Sequence, residues 1–309
     1  MGKILSGVCR SILVLLVSVS GHALAGVGDG PRAYQVAPVG SQRLSIMPIH
    51  QNSSFHIDGS PSEPSARIKA DILAMQYTHI LDVGGNTTGL FAVVPYADIS
   101  AKLLDTKRET GASGVGDLVV GAIFGLTGAS AMTPKEFAAY KPGFTAGLLT
   151  KLTLPTGRYD EDNLLNIGTN RWAVQLGGAF SWYFGESLTA GNNTSIELTP
   201  AVTFYGDNDS PRNADKMEQR PVYTLEANAT HDFSSRYWGS IDALYSIGGA
   251  TETDGVKSQS DTEKFLLGAT VGMYLPHGYG LQLNYGKTLK VDSDGYKDHL
   301  IRIKLSKSF

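Results

Sequence analysis

The side chains in this 309-residue sequence that could do chemistry fall into two sets. The first is the histidines beyond residue 25 (His50, His56, His79, His231, His277 and His299) together with acidic clusters at Asp160-Glu161-Asp162 and at Asp207, Asp209 and Asp215. Ester or amide hydrolysis needs a nucleophile, a base and an orienting group brought together. No G-x-S-x-G or H-E-x-x-H occurs, and no histidine is followed two residues later by a serine. The acidic clusters could hold a divalent cation with lipopolysaccharide phosphates as co-ligands, but solvated loops account for them more simply. Cys9 is the only cysteine, so the chain beyond it has no disulfide and no thiol-based metal site. The chain therefore reads as a non-enzyme, with no catalytic residue, metal or cofactor assigned.

The second set recurs at alternate positions opposite apolar residues: Asp117, Lys151, Arg171, Gln175, Glu197, Glu226, Asp242, Lys264, Lys290, Arg302 and Lys304. Strands must position them, because period-2 order sends successive side chains to opposite faces. In 171–184, Trp172, Val174, Leu176, Phe180 and Trp182 share one face, while Arg171, Gln175 and Ser181 share the other. The last segment sets Ile301, Ile303, Leu305 and Phe309 against Arg302, Lys304, Ser306 and Ser308. Twelve such segments are predicted: 41–49, 67–82, 88–103, 116–127, 144–155, 171–184, 194–206, 221–233, 238–250, 264–275, 280–291 and 298–309. The first two are poorly patterned, so ten or fourteen strands are the neighbouring even counts.

Connections alternate between long polar stretches and short turns, the habit of membrane barrels. The exception is 128–143, a long connection on the short-turn side, where Met132 to Tyr140 is predicted to form a helical turn or two, with Pro134 near its start. Trp172 and Trp182 lie ten residues apart on one face, which at a tilt near ~40° spans roughly 25 Å, the height of an apolar band between two aromatic girdles. The expected fold is all-β: a transmembrane antiparallel up-and-down β-barrel over 41–309, with apolar residues toward lipid and the second set lining the lumen.

Lys3 and Arg10, a short apolar run over 11–19 and Ala23-Leu24-Ala25 form an export signal, with cleavage predicted before Gly26. Residues 26–40 then read as a periplasmic lead-in. Removing the two cations of 1–25, which contain no acid, takes the formal charge from −3 to −5, too mild to suggest a nucleic-acid partner. An even strand count puts both termini in the periplasm of a bacterial outer membrane. The expected partners are outer-membrane lipid and lipopolysaccharide, the barrel-assembly machinery, which would read Phe309 as its signal, and a small solute.

Several segments resemble a known family. Gly28-Asp29-Gly30-Pro31 runs to Ala37-Pro38-Val39-Gly40; Gly114-Val115-Gly116-Asp117-Leu118 opens one strand; Leu152-Thr153-Leu154-Pro155-Thr156-Gly157-Arg158-Tyr159-Asp160 closes the next, followed by Asn166-Ile167-Gly168 and Trp172. This order is similar to the outer-membrane family labelled "putative MetA-pathway of phenol degradation". The resemblance implies a transporter of small hydrophobic or aromatic molecules and supplies no catalytic residues. The expected function is passive uptake of such solutes; a lipid-modifying enzyme and a structural barrel are the alternatives.

Overall fold

The computed structural model describes residues 28–55, 66–103, 109–188, 191–259, 261–291 and 296–309. The export signal and His56 lie outside these residues.

Among the described residues sixteen strands succeed one another: β1 (Gln42–Phe55), β2 (Ala66–Val83), β3 (Asn86–Leu103), β4 (Glu109–Val115), β5 (Leu118–Thr127), β6 (Phe144–Leu154), β7 (Ala173–Tyr183), β8 (Thr194–Tyr205), β9 (Met217–Gln219), β10 (Val222–Asp232), β11 (Tyr237–Gly248), β12 (Thr251–Thr253), β13 (Val256–Gln259), β14 (Thr262–Leu275), β15 (Tyr279–Val291) and β16 (Lys297–Ser308). One helix, α1 (Pro134–Ala139), lies between β5 and β6. Twelve strands close an antiparallel barrel: β1, β2, β3, β5, β6, β7, β8, β10, β11, β14, β15 and β16. The seam closes where β1 pairs with β16, Arg43 opposite Ser308 and Ser54 opposite Lys297. Beyond that ladder, Phe309 N–H donates to the Gln42 carbonyl at 2.9 Å. Chain end and first strand therefore meet at one rim, the rim of the short turns at Gly84-Gly85 and Pro276–Gly278.

The predicted fourth strand, 116–127, is β5, and the stretch before it, expected as a loop, carries the additional strand β4. β4 and β5 both pair with β3, Tyr96 opposite Val115 and Val93 opposite Val119, with a break at Gly116-Asp117. Gly116 N–H bonds the Pro95 carbonyl there at 2.8 Å. Two loops predicted as plain polar stretches contain a second sheet, in which β12 pairs with both β9 and β13. α1 begins within the predicted stretch. Thr133 and Glu136 form a capping box, Thr133 N–H reaching the Glu136 carboxylate at 2.8 Å and Glu136 N–H reaching the Thr133 hydroxyl at 3.3 Å.

The outer face of the wall carries Leu148, Trp172, Leu176, Trp182, Ile241, Val271, Ile301, Ile303 and Leu305, all exposed. An apolar face this continuous around a closed sheet suits lipid, and closure leaves no strand edge to hydrogen-bond there. Lys307, on this face of β16, lies over the rings of Tyr279 and Phe309 at the short-turn rim and donates to the His277 carbonyl.

The apolar-out, polar-in order reverses in the first three strands. The long-loop halves of β2 and β3 turn Ile68, Ala70, Ile72, Ala97, Ile99 and Ala101 inward, all buried, while Arg67, Lys69 and Asp71 point outward. Apolar residues face the interior here. With Ile49 and Leu300 they form one core, closed by Leu165 and Ile167 from the loop after β6. This explains the poor patterning of the first two segments: the strand crosses from an apolar outside to a charged outside along its length.

Candidate functional site

The interior divides into two sides. On β8, β10, β11 and β16 the inward side chains are mostly acidic or polar, and they hold the start of the described chain. Residues 28–36 run inside the barrel; they are not a lead-in outside the wall. The cause is charge: Glu197, Glu226, Asp232 and Asp242 are all buried on neighbouring strands, and ionised carboxylates in such a place need donors. Glu226 accepts hydrogen bonds from two consecutive backbone amides, Asp29 at 2.8 Å and Gly30 at 2.7 Å. Glu197 accepts one from Arg32 N–H at 2.8 Å and one from the Ser195 hydroxyl at 2.9 Å. The Arg32 guanidinium pairs with Asp232 at 2.8 Å, reaches the Tyr274 hydroxyl at 2.7 Å and stacks on Trp238. Asp29 pairs in turn with Lys151 at 2.6 Å and accepts from the Tyr34 hydroxyl at 2.5 Å. Two glycines let the backbone come this close. Gly28 and Gly30 have φ of +63° and +87°, and a Cβ on Gly30 would lie 2.3 Å from the Arg302 guanidinium. Farther along, Val36 packs with Ala129 and Met132 beside α1, and Val39 N–H bonds the Met132 carbonyl at 2.8 Å. The connection 128–143 thus clasps the luminal segment at the short-turn rim.

The remaining inward residues fall into clear groups. Asp242 accepts from Ser240, Thr270 and Asn284 at 2.5, 2.6 and 2.9 Å. Lys264 pairs with the buried Asp298 at 2.9 Å. Gln175 donates to Thr203 at 3.1 Å, and Arg302 donates to the Gly28 carbonyl at 3.1 Å. Lys304 is half-buried and faces inward. Lys290 is not luminal. The ladder between β14 and β15 slips between Phe265 and Leu266, and the irregularity swings Lys290 outward to meet Glu263 at 3.1 Å.

Asp117, in the break before β5, does not pair with Lys151 of the neighbouring β6. It accepts from Gly157 N–H and Thr169 N–H, both at 2.8 Å, and from the Thr169 hydroxyl at 2.6 Å. The loop after β6 is thereby tied across the long-loop mouth. Gly157 and Gly168 touch backbone to backbone; a Cβ on either would lie 2.7 Å from the other. The sequence motif around Gly116-Asp117 and Gly157 is the hardware of this lid. Tyr159 extends it, its hydroxyl donating to the Ser210 carbonyl at 2.8 Å and accepting from Asn208 at 2.9 Å.

Between the luminal segment and the wall of β1–β7 lies a cavity of about 340 Å³. Its wall is mostly apolar on β1–β5 (Met47, Ile72, Phe91, Val93, Pro95, Val119 and Ile123), with Gln76, Thr78 and Thr87 the polar residues there, and Ala33, Tyr34 and Val36 close it from the centre. The small residues of neighbouring strands play two parts. Gly147 and Ala179 line the cavity, whereas Gly121 makes room for Phe91, whose Cζ would lie 2.3 Å from a Cβ there.

The histidines lie elsewhere. His50 contacts Asp71 through Nδ1 at 2.6 Å and Asn52 through Nε2 at 2.9 Å, on the outer face, so an amide stands where a hydroxyl nucleophile would be needed. His231 contacts Thr194 at 2.7 Å, and His299 contacts Tyr285 at 3.2 Å. Among the described residues no group of three or more His, Cys, Asp or Glu could hold a metal ion.

The family described as "Putative MetA-pathway of phenol degradation" matches residues 51–297. Among solved structures, an outer membrane channel from Pseudomonas putida F1 superposes with a TM-score of 0.77 at 21% identity, covering 91% of this chain and 99% of that one. The transport unit of the autotransporter AIDA-I from Escherichia coli gives 0.53 at 8% identity, over 94% of this chain and 97% of that one. The translocator domain of autotransporter NalP from Neisseria meningitidis gives 0.50 at 13% identity, over 96% and 97%. No curated protein matches the sequence.

Proposed function

The chain belongs to the family of the "Putative MetA-pathway of phenol degradation", and from that premise we propose that it is an outer-membrane channel for passive uptake of small hydrophobic or aromatic solutes, with both termini on the periplasmic side. The observation that carries this reading is the cavity of about 340 Å³ with a mostly apolar wall on β1–β5 inside a closed lipid-facing barrel. A packed interior would have served a structural barrel better, and a general porin gains nothing from an apolar lining. The size lies near the low end of the roughly 300–1,000 Å³ typical of small-molecule sites, which suits one ring or a short chain. The outer-membrane channel from Pseudomonas putida supports the reading through its shared fold. Both mouths are narrowed by elements held with specific polar contacts, the luminal segment at one end and the lid tied to Asp117 at the other. Passage then requires one of them to shift.

The test is uptake. Cells carrying the protein should take up labelled catechol faster than cells without it, while sugars of similar mass enter at unchanged rates, and the purified protein should conduct in planar bilayers. Equal catechol uptake with and without the protein, together with no conductance, overturns the reading.

A further inference from the structure

Inside the barrel most cations are engaged: Arg32 by Asp232, Lys151 by Asp29, Lys264 by Asp298, and Arg171 by Gln219 and the face of Tyr205. A group of unpaired cations lies instead on the outer face of one sector. The apolar outside of that sector ends at Leu73, Tyr96 and Tyr285, all exposed. Nearer the long loops the strands run on, because Ile68, Ala70, Ala101 and Leu300 form a buried core behind them. There Arg67 and Lys69 of β2, Lys297 of β16 and Lys287 of β15 are exposed, and none of them makes an ion pair among the described residues. The ladders set them side by side. Ser54 of β1 lies between Lys297 and Arg67, Asn52 lies between His299 and Lys69, and Lys287 adjoins His299. Neighbouring strands are about 4.8 Å apart, so Asn52 and Ser54 floor a gap roughly 10 Å wide between two rows of longer side chains. Lys102, opposite Arg67, pairs with Glu109. One row nearer the lipid, Asp71 is held by His50 and lies opposite Asp98. In the two rows nearest the loops, the outward charges from β16 to β4 are therefore Lys297, Arg67, Lys69 and Lys102 against a single acid, Glu109. Elsewhere on the barrel the outside differs: β7, β8, β10 and β11 stay apolar to their long-loop ends, at Val174, Phe204, Tyr223 and Ile247. Like charges on adjoining strand positions repel one another, so the grouping costs stability unless an anion sits among them.

We infer that this patch is a docking site for the phosphate groups of lipid A, the membrane anchor of lipopolysaccharide. Those phosphates lie just above the acyl chains, the level at which the patch begins above Leu73, Tyr96 and Tyr285. Phosphate oxygens accept charge-assisted hydrogen bonds; Arg67 offers them a planar fork, and Lys69, Lys297 and Lys287 offer point charges. The acyl chains then run down over Leu73, Ile301 and Ile303, which are exposed directly below. A soluble anion gains nothing from that apolar wall. A zwitterionic phospholipid brings its own ammonium to the phosphate and makes less of clustered cations than an anionic lipid does. From the channel reading this takes only the outward direction of the long loops, and it does not depend on flux.

The test is titration of the detergent-purified full chain, read by native mass spectrometry, with lipid A bearing both phosphates, with monophosphoryl lipid A and with phosphatidylethanolamine. The doubly phosphorylated form should bind at least about tenfold more tightly than phosphatidylethanolamine, with the monophosphoryl form between them. Arg67→Gln, Lys69→Gln and Lys297→Gln made together should weaken doubly phosphorylated lipid A at least about tenfold and leave phosphatidylethanolamine unchanged. Should that variant fail to form a heat-modifiable barrel, Arg67→Gln alone should weaken lipid A several-fold. A control with Lys135→Gln, Lys141→Gln and Arg236→Gln, three exposed cations on the short-turn side, removes the same charge and should bind as the parent does. Undiminished binding by a folded patch variant, an equal loss in the control, or displacement of lipid A by equimolar inorganic phosphate overturns the inference. Lipid A held at the patch of a barrel that passes no solute would instead sink the channel reading and leave the site standing.

Discussion

At the scale of single residues, the interior is organised by which carboxylates find donors. Arg32 touches Glu197 through its backbone and Asp232, Thr230 and Tyr274 through its side chain. Arg32→Met should leave Asp232 buried without its cation, a loss on the order of 3–5 kcal/mol for a broken buried pair. We expect residues 28–40 to become cleavable by protease in the folded barrel and the melting temperature to fall; a segment as resistant as in the parent protein would refute the role of this pair. Alternation alone made Lys151, Glu197, Glu226 and Arg302 legible as inward residues. Arg32 was not legible, because it lies on no strand and alternation says nothing about it. A signal for it was nevertheless in the sequence: Glu197, Glu226, Asp232 and Asp242 stack on neighbouring inward positions with no cation among them, so a counter-charge had to come from elsewhere. Lys290 escapes alternation for a local reason, since a single irregularity in the ladder reverses the facing of the residues beyond it.

At the scale of elements, strand number and order were readable because each wall strand is long enough, at 10 to 18 residues, to show alternation. β9, β12 and β13 have three or four residues each and are too short for any period to appear. The long-loop halves of β2 and β3 reversed the expected polarity because they cover a core of their own, not lipid. The seam between β1 and β16 is the element most exposed to a small change. Phe309 both donates to and accepts from Gln42 and lies, exposed, at the rim. Deleting Phe309 should lower the yield of heat-modifiable barrel in outer-membrane fractions more than deleting one residue from 207–216 does. Equal yields would show that neither the seam nor recognition by assembly machinery depends on it.

At the scale of the whole molecule, a twelve-strand wall has room for more than its own side chains, and here that room is divided between an ordered segment of the same chain and a cavity. Removing residues 28–36 while keeping the Val39 and Gly40 contacts at the rim should widen the path. Single-channel conductance is expected to rise several-fold, and an unchanged conductance would locate the narrowest point at the lid instead. The luminal segment also bears on how the molecule comes to be folded. Its polar partners on the wall strands lie 122 to 274 residues further along the chain, from Lys151 to Arg302. The start of the described chain therefore completes its wall contacts last, when the final strand is in place, and contacts so distant in sequence are slow to form. Closing the wall and seating the segment become one event, in which the buried Glu197, Glu226 and Asp232 receive the donors that the segment brings.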